Sequence, residues 1–234
     1  MNAMRDVAVA TMTWARTTDE ETLLRRSLAL LTDTGLPIAI ADAGTSATFT
    51  AFLKCLPGVS ITVPNEQGLV AQVQASVALA ATLERHFIFY VEPDKAFFFE
   101  HRLWDFLQLV PEQPAVGVVL ASRSAESFRT FPPMQRYTEG VINYLCAQFL
   151  GLGGDYSYGP FLMNRALLAH VAALERRLGW GWRHAMFRAA HRDGLRLIHI
   201  TGDYPCPLDQ RGEDDAERMH RIRQLAQNIS GLIA

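Results

Sequence analysis

The stretch His86-Phe87-Ile88-Phe89-Tyr90-Val91-Glu92-Pro93-Asp94-Lys95 decides how this chain is read. An apolar run of strand length stops abruptly at two acidic side chains one residue apart. Such a run is the pattern of a parallel strand buried on both faces. Ionised groups are costly to bury unpaired, so the carboxylates at its end belong at the sheet edge. Two oxygen donors there can hold a hard divalent cation, which can in turn hold phosphates. An earlier stretch repeats the arrangement: Pro37-Ile38-Ala39-Ile40-Ala41 runs into Asp42-Ala43-Gly44-Thr45-Ser46. If both strands are parallel, both acidic ends lie on one rim, where open α/β sheets bind ligands. An acid-x-acid pair also arises by chance, and Glu213-Asp214-Asp215 is a similar acidic cluster.

The rest of the chain alternates in the same style. Strands are expected at 7–13, 37–41, 59–63, 87–91 and 115–121, with helices at 19–34, 48–56, 68–83 and 98–110 between them. This order predicts a mostly parallel, three-layer α/β sheet. After residue 125 the pattern changes. An aromatic, Pro-containing loop at 128–133 precedes a helix at 135–150 and a Gly- and Tyr-rich loop at 151–160. A short strand at 161–163, helices at 165–177 and 180–192, and a last strand at 195–200 follow. The tail at 213–232 reads as a helix. Its apolar Met219, Ile222, Ala226 and Ile229 recur at helical spacing, and Asp214–Arg218 and Glu217–Arg221 are i,i+4 pairs.

Bulk properties narrow the function. The chain has 234 residues, 49% apolar and 20% charged, with a net charge of −2. That composition suits a globular enzyme with a real core. It argues against non-specific nucleic-acid binding, which needs a basic footprint. No apolar span approaches the ~20 residues of a membrane helix, and the opening residues, with Arg5 and Asp6, do not read as a signal peptide. Cys55, Cys146 and Cys206 are widely spaced and form no metal motif. They read as small core residues of a protein in the reducing cytoplasm.

The order of motifs resembles the GT-A glycosyltransferases, the nucleotide-diphospho-sugar transferase fold, in a family 2-like form. Ala10-Thr11-Met12-Thr13-Trp14-Ala15-Arg16 resembles that family's opening segment. Asp42-Ala43-Gly44-Thr45-Ser46 resembles its acidic nucleoside turn, and Gly68 the start of its diphosphate-side helix. Glu92-Pro93-Asp94 stands at the place of its DxD motif. The resemblance covers residues 6–200. It implies a single GT-A-like domain over 1–234, with a nucleotide-sugar half (1–124), an acceptor-side half (125–202) and a tail with a helix (203–234). It implies a hexosyltransferase-type enzyme using Mn²⁺ or Mg²⁺ and a nucleoside-diphosphate sugar, with a small or lipid-linked hydroxyl acceptor. Thr11, Arg16, Asp42, Gly68 and Glu92 would bind the donor. Glu92, Asp94 and a late histidine, His199, would hold the metal, Asp94 being the better ligand. A homodimer through the C-terminal helix is a further expectation.

Several residues have plainer readings. Asp42 also suits a turn or a helix cap, and His199 shares a strand face with Leu195 and Leu197, as a core histidine would. Trp180 and Trp182, at i,i+2, suit either a sugar platform or a split between core and surface. Inverting relatives carry an acidic base where this chain has Gly179-Trp180-Gly181-Trp182-Arg183-His184, which holds no carboxylate. The enzyme is therefore retaining, or uses another base such as Asp155, or is a catalytically inactive sugar-nucleotide-binding or scaffold protein of the same fold.

Overall fold

The computed structural model describes residues 6–111, 113 and 115–234, with only the backbone of Asp209. Arg5, on which the leader reading partly rests, lies outside the described residues. In chain order the elements are β1 (Val7–Thr13), α1 (Thr18–Thr32), β2 (Ile38–Asp42), α2 (Ala47–Cys55), β3 (Val59–Thr62) and α3 (Leu69–Ala81). Then come β4 (Phe87–Tyr90), α4 (Ala96–His101), α5 (Leu103–Gln108), β5 (Val116–Arg123), α6 (Ala125–Arg129) and α7 (Pro133–Leu150). The last are β6 (Phe161–Asn164), α8 (Leu168–Ala172), α9 (Trp182–Arg192), β7 (Arg196–Gly202) and α10 (Asp215–Ile233). The chain divides into two compact units, residues 1–112 with 160–176, and 113–159 with 177–234.

In the first unit the strands lie in the order β3-β2-β1-β4-β6. β1, β2, β3 and β4 are mutually parallel, and β6 is antiparallel to β4. Every residue of β1, β2 and β4 is buried, which explains their unbroken apolar character. Parallel pairing puts the carboxyl ends of β2 and β4 on one rim, on either side of β1. Thr13 pairs with Asp42 in register, and the Val91 amide bonds the Ala10 carbonyl just beyond β4. Asp42 and Glu92 thus sit two strand spacings apart, about 10 Å. The Thr17 hydroxyl accepts the Glu20 amide and starts α1, whose first turn carries Asp19, Glu20 and Glu21, favourable at the positive end of the helix dipole.

The helix expected at 98–110 is two helices broken at Arg102. The break lets Phe98 and Phe106 both converge on Phe89, with ring centroids 6.2 and 5.8 Å away. The helix expected at 165–177 is also shorter. The Gln74 side-chain amide donates to the carbonyls of Val171, Ala172 and Leu174 and so closes α8 from outside.

In the second unit β5 and β7 are parallel, and α7, α9 and α10 pack together. Part of the segment expected as a loop at 128–133 belongs to α6, whose Ser124 hydroxyl caps Ser127. The inner face of α10 also differs from expectation. Met219 and Ile222 are exposed, whereas Asn228, Gly231 and Leu232 are buried. The reason is a close backbone approach: a Cβ on Gly181 would lie 2.0 Å from the Gln227 carbonyl oxygen, and one on Gly231 1.8 Å from that of Gly181. Asp214 caps α10 through the Glu217 amide. Arg218 therefore pairs with Glu213 and Asp215 instead, while Glu217–Arg221 forms as expected.

Candidate functional site

The rim of the first unit carries Asp42, Glu92 and Asp94. Asp42 is only 4% exposed. Its Oδ1 accepts hydrogen bonds from Thr13 Oγ1 at 2.8 Å and Thr45 Oγ1 at 2.7 Å. The Ala15 amide donates to the same Thr45 oxygen at 3.2 Å, tying the end of β1 to the turn after β2. Glu92 is 8% exposed. The Asp94 side chain is 43% exposed, and its Oδ1, which accepts no hydrogen bond among the described residues, lies 3.4 Å from Lys95 Nζ. A hard anionic oxygen suits a divalent cation, which would have to displace the Lys95 amine, and Glu92 supplies a second acid two residues away. Among the described residues no three His, Cys, Asp or Glu side chains form a metal-holding group. Any cation here would complete its shell with water and ligand oxygens, the usual habit of Mg²⁺ at phosphate sites.

The other expected donor-site residues divide. Gly68 occupies the N-cap of α3 with φ +114° and offers no side-chain cap, a backbone conformation that side chains resist. The helix start is therefore open to an anion. Arg16 is exposed and paired with Glu20 at 2.8 Å, a surface pair weak enough to exchange for phosphate. Thr11 does not fit a binding role: it is fully buried, and its hydroxyl donates to the Val91 carbonyl at 2.8 Å. It ties β1 to the chain just beyond β4.

In the second unit the expected base, Asp155, does not fit that role either. Arg123 grips it with Nε to Oδ2 at 2.6 Å and Nη2 to Oδ1 at 3.0 Å. Asn143 Nδ2 and the amides of Arg123 and Ser157 complete its acceptor sites. Burial alone would raise its pKa, but the Arg123 guanidinium and these hydrogen bonds hold it below the usual carboxylate range. A buried carboxylate with a depressed pKa and occupied lone pairs is a poor proton acceptor. Arg123 also reaches Glu139 at 2.5 Å, and Phe128 and Phe131 lie against its guanidinium at 4.7 and 4.3 Å. Sequence reading missed Arg123, although Val116–Arg123 ends in a charge as the acid-terminated strands do.

His199 lies on β7, with its ring edge-on to Tyr156 at 4.5 Å and close to Gly154, where a Cβ would come within 2.5 Å of the ring. Among the described residues neither ring nitrogen has a hydrogen-bond partner. Burial pushes its pKa down to about 4, against a smaller opposing pull from Asp155. The imidazole is thus neutral near pH 7, the form a metal ligand requires. Its packing equally suits the core reading. Of the tryptophans, Trp182 is fully buried, while Trp180 is half-buried beneath the Arg183 guanidinium at 5.5 Å, so the pair splits between core and surface.

No protein-family model matches the chain, and no curated protein matches it in sequence. Solved structures do. Mannosyl-3-phosphoglycerate synthase from Rubrobacter xylanophilus superposes with a TM-score of 0.63 at 13% identity, over 97% of this chain and 77% of that one. Glucosyl-3-phosphoglycerate synthase from Mycobacterium tuberculosis, in complex with Mn²⁺, UDP and phosphoglyceric acid, gives 0.57 at 13% identity, over 99% and 81%. With strands and helices in this order, the fold is that of the GT-A nucleotide-diphospho-sugar transferases.

Proposed function

We propose that the protein is a divalent-metal-dependent glycosyltransferase that moves a hexose from a nucleoside-diphosphate sugar to the hydroxyl of a small anionic acceptor. The observation that carries this reading is the rim itself, with Asp42 and the Glu92/Asp94 pair at the carboxyl ends of parallel strands flanking β1. The fold relatives support it, since one is a complex with Mn²⁺, UDP and phosphoglyceric acid. In this reading Asp42 receives the nucleoside, the open start of α3 and Arg16 face the diphosphate, and Asp94 with Glu92 holds the cation. A bound cation would neutralise the charge of the departing diphosphate. The phosphoglycerate relatives favour a small anionic acceptor over a lipid-linked one.

We assign transfer with retention. Inversion needs a base within reach of the acceptor hydroxyl, opposite the leaving group. The segment 179–184 offers no carboxylate, and Asp155 is committed to Arg123. In retaining transfer the departing diphosphate can take the acceptor proton on the same face. Incubation with UDP-glucose, Mn²⁺ and 3-phosphoglycerate should give metal-dependent turnover, and proton NMR of the first-formed product should show the α anomer. An inverted product would remove the retention assignment. Absence of turnover for any sugar nucleotide would favour the second reading, a catalytically inactive sugar-nucleotide-binding protein. The amine of Lys95, 3.4 Å from Asp94, speaks for that alternative by occupying part of the cation's place.

The three cysteines are free thiols, in keeping with a cytoplasmic setting; Cys146 and Cys206 are buried as expected, whereas Cys55, at the end of α2, is exposed and is no core residue. Among the described residues no helix is long and apolar enough to cross a membrane. The C-terminal helix remains our candidate for a homodimer contact, because it leaves Met219 and Ile222 exposed. Sedimentation equilibrium should then show a mass that rises with concentration and falls to the monomer in Met219→Glu. A monomer at all concentrations removes that part of the proposal.

A further inference from the structure

We infer that Lys95 is a positioning residue that couples cation binding to diphosphate binding, standing as counter-ion to Asp94 until phosphate draws its amine away. The inference rests on the transferase reading above. The Lys95 ammonium lies 3.4 Å from Asp94 Oδ1, and the Lys95 side chain is only 24% exposed. That oxygen accepts no hydrogen bond among the described residues, so the contact is one of charge alone. Whichever oxygen of Asp94 a divalent cation takes, an ammonium this close repels it. A cation arriving without nucleotide must therefore bind against Lys95 and break its ion pair.

The lysine is fixed at one end and movable at the other. The Phe99 amide donates to the Lys95 carbonyl at 3.0 Å, where α4 begins. Phe98 and Phe99 of that helix are buried, and Phe98 stacks on Phe89 of β4. The backbone of Lys95 is thus anchored to the strand that carries the two acids. Its amine sits on a flexible four-carbon stem with three rotatable donors. Lysine binds phosphate as a point charge and needs no fixed fork geometry. The start of α3 does not duplicate that charge, because residues 69–81 contain no Lys or Arg, and Arg16 is already paired with Glu20. When a diphosphate lies beside Asp94, the Lys95 amine can pass from carboxylate to phosphate without losing an anionic partner. Asp94 is then released to a cation. Diphosphate and cation each favour the other, by the same factor in both directions.

Binding of Mn²⁺, UDP and GDP, measured by calorimetry, tests this without turnover. Two nucleotides are used so that the result does not turn on the base, and the tighter of the two is the one compared. In the unaltered protein a saturating nucleotide should strengthen Mn²⁺ binding about tenfold or more. Lys95→Met keeps most of the stem and removes the charge. Mn²⁺ alone should then bind about three- to tenfold more tightly, while the nucleotide without metal should bind about three- to tenfold more weakly. The factor by which nucleotide strengthens Mn²⁺ should fall accordingly. Lys95→Arg, which restores the charge, should bring both affinities back toward those of the parent. Shifts in opposite directions mark the exchange, since a residue that merely shapes the site would weaken both ligands together. Mn²⁺ binding that is unchanged or weaker in Lys95→Met overturns the inference. So does unchanged metal-free nucleotide binding, or an unaltered protein in which neither nucleotide strengthens Mn²⁺. If neither UDP nor GDP binds either protein, with or without Mn²⁺, the transferase reading fails and this inference with it.

Discussion

Asp94→Asn should lower metal-dependent sugar transfer by about a hundredfold or more while leaving the protein folded. A cation at a departing diphosphate contributes several kcal/mol of charge stabilisation, and a loss of about 2.7 kcal/mol is a hundredfold in rate. Asparagine keeps the shape of the side chain but gives up the anionic oxygen that a hard cation prefers. The folding cost should be small. The Asp94 side chain is 43% exposed, and among the described residues its one ion-pair contact is Lys95 at 3.4 Å. Surface substitutions of this kind usually change stability by less than about 0.5 kcal/mol. Calorimetry adds a second readout: UDP binding by the variant should lose its dependence on Mn²⁺. A folded Asp94→Asn protein with full activity and an unchanged metal response would remove Asp94 from the cation site.

The parts of this molecule that were legible in the sequence are those whose signal is local. β1, β2 and β4 are buried on both faces, so each shows as an apolar run, and the residue that ends the run marks the rim. Asp42, Glu92 and Asp94 could be found for that reason. The hydrogen bond from Thr13 that braces Asp42 was hidden because the two lie 29 residues apart, and a threonine at a strand end carries no pattern of its own. The helix breaks were hidden for a similar reason. α8 is closed by Gln74, nearly a hundred residues upstream, and the divided helix at Arg102 follows from the packing of Phe98 and Phe106 on Phe89. The apolar stripe of α10 misled because two glycines, Gly181 and Gly231, decide which face packs. Asp155 misled in another way. An acid in a Gly-rich loop looks available until its partner, Arg123, is seen 32 residues away.

That partner sets the largest stability effect expected. Arg123→Met should destabilise the fold by roughly 3–5 kcal/mol, the cost of leaving buried carboxylates without their cation. The Arg123 side chain is fully buried, with Asp155 at 2.6 Å and Glu139 at 2.5 Å. Removing it leaves two acids facing a site lined by Phe128 and Phe131. Arg123→Lys keeps the charge but loses the bidentate fork, so its cost should fall between the two. The dependence on pH separates this account from simple loss of packing. In the unaltered protein Asp155 is held below its ordinary pKa. Its contribution is therefore full above about pH 4, the unfolded value, and is lost as pH falls further. In Arg123→Met burial, the largest influence on Asp155, is opposed only by the hydrogen bonds from Asn143 and the backbone amides, and the folded pKa is expected to rise above the unfolded one. The variant should then be least unstable in acid and lose stability as pH rises through that raised value. Two buried histidines act in both proteins. Burial lowers His184 to about 3 and His199 to about 4, so each costs stability as pH falls below its unfolded value of about 6.5. To first order their effect cancels in the difference between the two proteins. Denaturant melts from pH 4 to 8 should thus show the gap between Arg123→Met and the parent widening as pH rises. A gap that is constant with pH would mean that Arg123 acts by filling space, not by holding Asp155 ionised.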